Sequence, residues 1–126
     1  MKFFVVLVLS VAASGCSRFV DWDAPFVAFN SSNDDVVVVY GGSETRVPAN
    51  RSVAFTITVA VPKPPVGMTG PSTVDQRVQI NLAFRNLRTG QLTQPIYCQA
   101  GAKVVTNVWY ELSPSGRETT RCSSSY

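Results

Sequence analysis

The chain has 126 residues, with 11 Lys+Arg against 8 Asp+Glu and no histidine. This length supports one domain of modest size, and a net charge of +3, spread along the chain, excludes the clustered basic surface of a nucleic-acid binder. Without histidine there is no Ser-His-Asp or Cys-His catalysis, no histidine metal site and no histidine pH switch.

The chain opens with MKFFVVLVLSVAASGC, Met1 to Cys16. Lys2 supplies a positive start, Phe3–Leu9 is unbroken apolar sequence, and small residues follow, which is the build of an export signal. A membrane-crossing helix needs about 20 apolar residues, so residues 1–15 read as a signal that is removed and not as an anchor. Ordinary signal peptidase would accept the small residues of Val11-Ala12-Ala13 or Ala13-Ser14-Gly15, releasing a secreted protein. Alternatively, Ala13-Ser14-Gly15-Cys16 resembles the lipobox of bacterial lipoproteins, with Ala13 where leucine is commonest. The resemblance covers the leader only and assigns the mature domain to no family. In lipoproteins the cysteine thiol receives a diacylglyceryl group, cleavage falls just before it, and the new amino terminus is acylated. The resemblance therefore implies lipid attachment at Cys16 and membrane anchoring. Ser17 in the next position implies the outer membrane, because aspartate there retains enteric lipoproteins in the inner one.

The cysteine count agrees with that implication. Of three cysteines, one would be left over in an ordinary secreted protein. With Cys16 lipidated, Cys98 and Cys122 remain as a pair for an oxidising compartment. Their bond would close a loop worth about 3 kcal/mol in the chain-entropy model.

Residues 16–25 read as a lipidated tether. Within SRFVDWDAP, Phe19, Val20 and Trp22 suit either the lipid headgroup level or a first edge strand packed onto the domain. Residues 26–126 form that domain, and their apolar pattern has period two, which argues for strands. Val36–Tyr40 is apolar on both faces and suits a strand covered on both sides. Val53, Phe55, Ile57, Val59 and Val61 alternate with alanine and threonine. Val78, Ile80, Leu82 and Phe84 alternate with polar residues. Gln91–Cys98 is a strand interrupted at Pro95, which favours an edge or a bulge. Lys103–Leu112 carries Val104, Val108, Tyr110 and Leu112 on one side, and Glu118–Ser125 reads as a polar edge. Turn residues separate these segments at Tyr40–Ser43, Arg88–Gln91 and Ser113–Gly116.

The expected fold is all-β, a sandwich of about seven strands of immunoglobulin-like type, with a small closed barrel as the alternative. The cysteines bear on this choice. A meander would hold their strands two spacings, about 9.6 Å, apart, beyond the roughly 7 Å between α-carbons that a disulfide spans. A Cys98–Cys122 bond therefore needs one strand to leave the sheet and cross the core, or a distorted edge, and favours a sandwich or closed barrel over a flat meander.

Catalytic motifs are missing: no phosphate loop, no GxSxG elbow and no CxxC occur. Asn30–Asp35, NSSNDD, has oxygen ligands suited to calcium but lacks ordered ligand spacing and reads as a turn. No metal and no small-molecule cofactor are expected. Two surfaces are candidates for binding: the polar strand face of Arg77, Gln79, Asn81 and Arg85, and the proline-rich 62–74 loop with Val66 and Met68. The expected function is that of a non-enzymatic, lipid-anchored envelope protein, held to the membrane through Cys16 and binding another envelope component. The alternative is a lipid-anchored or secreted inhibitor of a lysozyme or protease, using the 62–74 loop.

Overall fold

The computed structural model describes residues 19–62 and 77–125. Cys16 and the loop residues Val66 and Met68 lie outside the described residues. Eight strands follow in chain order: β1 (Phe19–Asn30), β2 (Val36–Tyr40), β3 (Ser43–Val47), β4 (Ser52–Pro62), β5 (Val78–Asn86), β6 (Ile96–Ala100), β7 (Val105–Leu112) and β8 (Glu118–Ser125). They form two four-stranded sheets, β4-β1-β7-β8 and β3-β2-β5-β6. The domain is a β-sandwich, not a closed barrel.

Two expectations about its elements change. The polar segment SETRV is a strand, β3, which brings the count to eight. Its apolar signal is weak, and pairing with β2 creates it: Gly41, at φ 55°, supplies the positive φ at the first central position of a two-residue hairpin turn. The expected tether is also shorter. β1 begins at Phe19, so the domain starts seven residues before Phe26, and the strand lies inside its sheet and not at an edge. Phe19–Phe29 pairs with β4 throughout, whereas β7 pairs with β1, in parallel, only from Phe26 onward.

That offset explains how Pro25 sits in mid-strand. Asn30 donates its N–H to Arg51 O and Ser31 donates to Tyr110 O. By alternation, odd-numbered residues of β1 turn their backbone groups toward β7. The N–H that Pro25 lacks thus points to where β7 has not yet begun pairing, and no ladder bond is lost.

The core fills with the inward residues of both sheets. Phe26, Phe84 and Tyr110 are its largest buried side chains, surrounded by Val36, Val38, Val47, Val61 and Val108. Phe84 and Tyr110 meet across the sandwich with ring centroids 5.5 Å apart. Ala24 and Ala28, fully buried on β1, leave room for these rings. On β2 the outward Val37 is only 6% exposed. Among the described residues no third layer covers it; its cross-strand neighbours are Arg46 and Arg85, whose aliphatic stems shield an apolar residue at a sheet surface.

One long edge of the sandwich is tied. β8 ends one sheet and β6 the other, and Cys98–Cys122 joins them with α-carbons 5.9 Å apart. The bond therefore runs between sheets, the sandwich solution to the spacing argument. Two hydroxyls reinforce it: Thr106 Oγ1 and Ser124 Oγ both donate to Gln99 O, at 2.6 and 3.0 Å. The opposite edge, between β3 and β4, opens into a cleft of about 230 Å³.

Candidate functional site

The expected polar face forms part of one surface. Gln79, Asn81 and Arg85 alternate along β5 on the outside of its sheet, with exposed Arg77 just before the strand. Arg85 is not available as a free cation, because its Nη2 bonds Glu44 Oε2 at 2.5 Å. Register adds neighbours from β6: Tyr97 lies beside Asn81 and Gln99 beside Gln79. Tyr97 is 65% exposed and is the most accessible large apolar side chain among the described residues. The face is thus a polar surface with one projecting aromatic ring.

A more concentrated surface lies on the other sheet. On its outside the register places Phe29 between Ser52 of β4 and Trp109 of β7, and Trp109 beside Arg121 of β8. Phe29 and Trp109 stack with centroids 5.4 Å apart and planes 14° from parallel. Arg121 caps the other face of the indole, its guanidinium carbon 4.2 Å from the ring centroid, a cation–π contact. Glu111 Oε1 steadies that guanidinium at 3.9 Å. Ser52 is too small to cover the remaining face of Phe29. There an open cleft of about 470 Å³ forms, with Asn50, Arg51 and Ser52 on one wall and Trp109, Glu111 and Arg121 on the other.

This row was missed in the sequence, although a signal was present. Trp109 and Tyr110 are adjacent on one strand and must point to opposite faces. With Tyr110 assigned to the core, Trp109 has to stand outside. Which side chains flank it depends on strand order and register across β1, β7 and β8, and these are tertiary facts.

The NSSNDD stretch is a closed polar joint. Asp34 accepts from Arg88 Nε at 2.9 Å and from Asn86 Nδ2 at 3.1 Å. Those bonds, Arg88 first, hold its carboxyl below the usual range. Asp35 is held low in the same way, by Arg46 and then by the Ala49 N–H. Among the described residues no three His, Cys, Asp or Glu side chains converge as metal ligands. The two carboxylates are instead committed to arginines and amides. The native state favours both charged forms, so this stabilisation is present above the ordinary carboxylate pKa and is lost as pH falls through the lowered native values.

The joint continues inward through Asn86. Its Nδ2 also reaches Tyr110 Oη at 3.1 Å, and Tyr110 donates to Glu118 Oε2 at 2.6 Å. Burial pushes the Tyr110 phenol up to about 12; the Asn86 bond opposes that and the Glu118 contact adds to it. Unfolded tyrosine ionises near 10 while the native one still holds its proton. The stability it contributes is therefore complete below pH 10 and is lost as pH rises toward about 12. Tyr110→Phe should cost about 2 kcal/mol, because the bond from Asn86 Nδ2 and the bond to Glu118 Oε2 are both lost while Asn86 keeps its contact with Asp34. In urea titrations at several pH values, the variant should also lose most of the alkaline decline seen in the parent.

Comparison with known family models, with curated proteins and with solved structures finds no match for this chain.

Proposed function

We propose that the protein is a non-enzymatic, lipid-anchored component of the cell envelope, held through Cys16 in the outer membrane. Its sandwich binds another envelope component through the outer face of the β4-β1-β7-β8 sheet. The observation that carries this reading is the row Phe29–Trp109–Arg121 with its open cleft. Tryptophan and arginine are enriched among the residues that dominate binding energy at protein interfaces. Here they are held in place by mutual stacking on a rigid sheet, so little side-chain entropy is lost on binding.

Five of the eight acidic residues are engaged in a way that supports a binding role over hydrolysis. Asp34, Asp35, Glu44 and Glu111 each lie against an arginine, and Glu118 accepts the Tyr110 hydroxyl. Paired-carboxylate catalysis needs two carboxyls facing a common substrate, and these five are turned to separate structural partners.

Mass spectrometry of the protein purified from membranes tests the anchor. A mature chain beginning at Cys16, with diacylglyceryl and acyl additions, is expected, and Cys16→Ser should leave the membrane fraction. An unmodified Cys16 thiol in the wild type defeats the anchor. Capture from membranes tests the surface: Trp109→Ala should reduce recovery of the bound component at least about 10-fold, the scale of an interface hot spot. Recovery unchanged in that variant rules out this face as the binding surface.

A further inference from the structure

We infer that the protein pairs with a second copy of itself along the outer edge of β4, joining two four-stranded sheets into one of eight strands. β4 ends its sheet, and no described strand pairs with its outer side. Exposed strand edges invite pairing, and proteins usually blunt them with charge, proline, bulges or short length. The other three edges follow that rule. β3 and β6 have five residues each. β3 carries Glu44 and Arg46, and β6 and β8 are tied together by the disulfide.

β4 uses none of these devices along its length. Its eleven residues, SVAFTITVAVP, include no charge, and proline comes only at the last position. Its register with β1 is unbroken from Phe19↔Pro62 to Phe29↔Ser52, so there is no bulge. Because Arg51 O accepts from Asn30 N, odd-numbered residues of β4 turn their backbone groups toward β1. Even-numbered Ala54, Thr56, Thr58 and Ala60 present N–H and C=O groups outward.

The sequence of this edge is complementary to itself. Val53-Ala54-Phe55-Thr56-Ile57-Thr58-Val59-Ala60-Val61 reads the same in both directions except for Phe55 against Val59. An antiparallel two-fold axis at Ile57 sets Thr56 opposite Thr58 and Ala54 opposite Ala60, all with bonding groups pointing across the join. Core-side residues then meet core-side residues, whereas a one-residue slip would oppose the two faces. The same contact covers the open edge of the sandwich, where Val38, Tyr40, Phe55 and Ile57 line the 230 Å³ cleft. One patch used on both copies makes a closed, isologous dimer.

The test uses the full chain carrying Cys16→Ser, so that lipid and micelle play no part. Sedimentation velocity at about 100 µM, well above a micromolar Kd, should give the mass of two chains. Thr58→Pro removes an outward N–H and leaves the ladder with β1 intact. It deletes two bonds per dimer and adds a steric block, so Kd should rise about 100-fold with the circular dichroism spectrum unchanged. Thr56→Lys places a charge at the same edge and should act alike, which keeps the test valid if the proline variant misfolds. Oxidised Ile57→Cys should give a covalent dimer on non-reducing gels, while Thr56→Cys, facing Thr58, should not. A single-chain mass for the parent overturns the inference. So does a dimer that both edge variants leave intact, or equal cross-linking from the two cysteine positions.

Discussion

Replacing Cys98 and Cys122 together by alanine is expected to cost about 3 kcal/mol, roughly a 15 °C fall in Tm for a domain of this size. The bond closes a loop across a separation of 24 residues, and its removal returns that freedom to the unfolded chain. The native state should lose more than the crosslink. β6 and β8 belong to different sheets, and the Gln99 carbonyl, shared by Thr106 and Ser124, is the hydrogen-bonded bridge that remains at that edge among the described residues. Amide hydrogen exchange should therefore quicken in β6 and β8 before it does in β1 and β2. Equal loss of protection in all eight strands would mean that the bond acts on the unfolded state alone. Thermal melts with and without reductant give the stability change directly.

Asn30→Ala should be as damaging, at about 3 kcal/mol. Asn30 is 3% exposed at the end of β1, where the chain leaves one sheet for the other. Its Nδ2 donates to Asp34 O at 2.7 Å, Val47 O at 3.1 Å and Pro48 O at 3.2 Å. Its Oδ1 accepts from the Ser32 backbone and hydroxyl, at 2.9 and 2.7 Å. Alanine would strip a partner from three carbonyls in two segments, the loop at Asp34 and the end of β3 at Val47-Pro48, and leave a void that water fills only in part. Asn30→Asp keeps the shape but turns an acceptor toward three carbonyls. It should be at least as destabilising near neutral pH, and its deficit should shrink in acid, where a protonated carboxyl regains one donor. Urea unfolding of both variants at pH 7 and pH 4 checks the magnitude and the direction. A loss below about 1 kcal/mol for alanine would show that the crossover holds without this side chain.

The strands were legible to unequal degrees, and the inequality has a physical source. β4, β5 and β7 alternate cleanly because each has one face in the core and one in water, and their sequences carry that record. β3 was not legible, since SETRV buries only Val47 fully and owes its strand form to the hairpin with β2. The start of β1 was legible only as one of two readings, an edge strand or a segment at the lipid headgroup level, for a similar reason. Phe19–Pro25 is polar at alternate positions and contains proline, and only the unequal extents of β4 and β7 beside it explain why it is nonetheless a strand. Gln91–Cys98 was placed too early. Thr93 N bonds Phe84 O at 2.8 Å, but regular pairing begins after Pro95, at Ile96.

Of the candidate surfaces, the alternation of Gln79, Asn81 and Arg85 was readable, while the ion pair that neutralises Arg85 was not. Glu44 lies 41 residues away in sequence, and nothing local links the two. The same holds for Phe29, Trp109 and Arg121, which come from three separate strands.

What the sequence determined unaided is whatever depends on local periodicity, residue chemistry or counting: an all-β domain, a cysteine pair that a flat meander would hold too far apart to join, and the absence of histidine chemistry. It also holds the near-palindrome of β4, which needs no coordinates to read. Tertiary structure alone decided that β3 and β4 are the other two edges, beside β6 and β8, which face of β1 meets β7, and which distant charges cancel. Strand order and register arise from how two sheets share one core, and a period-two pattern names a buried face without naming its neighbours.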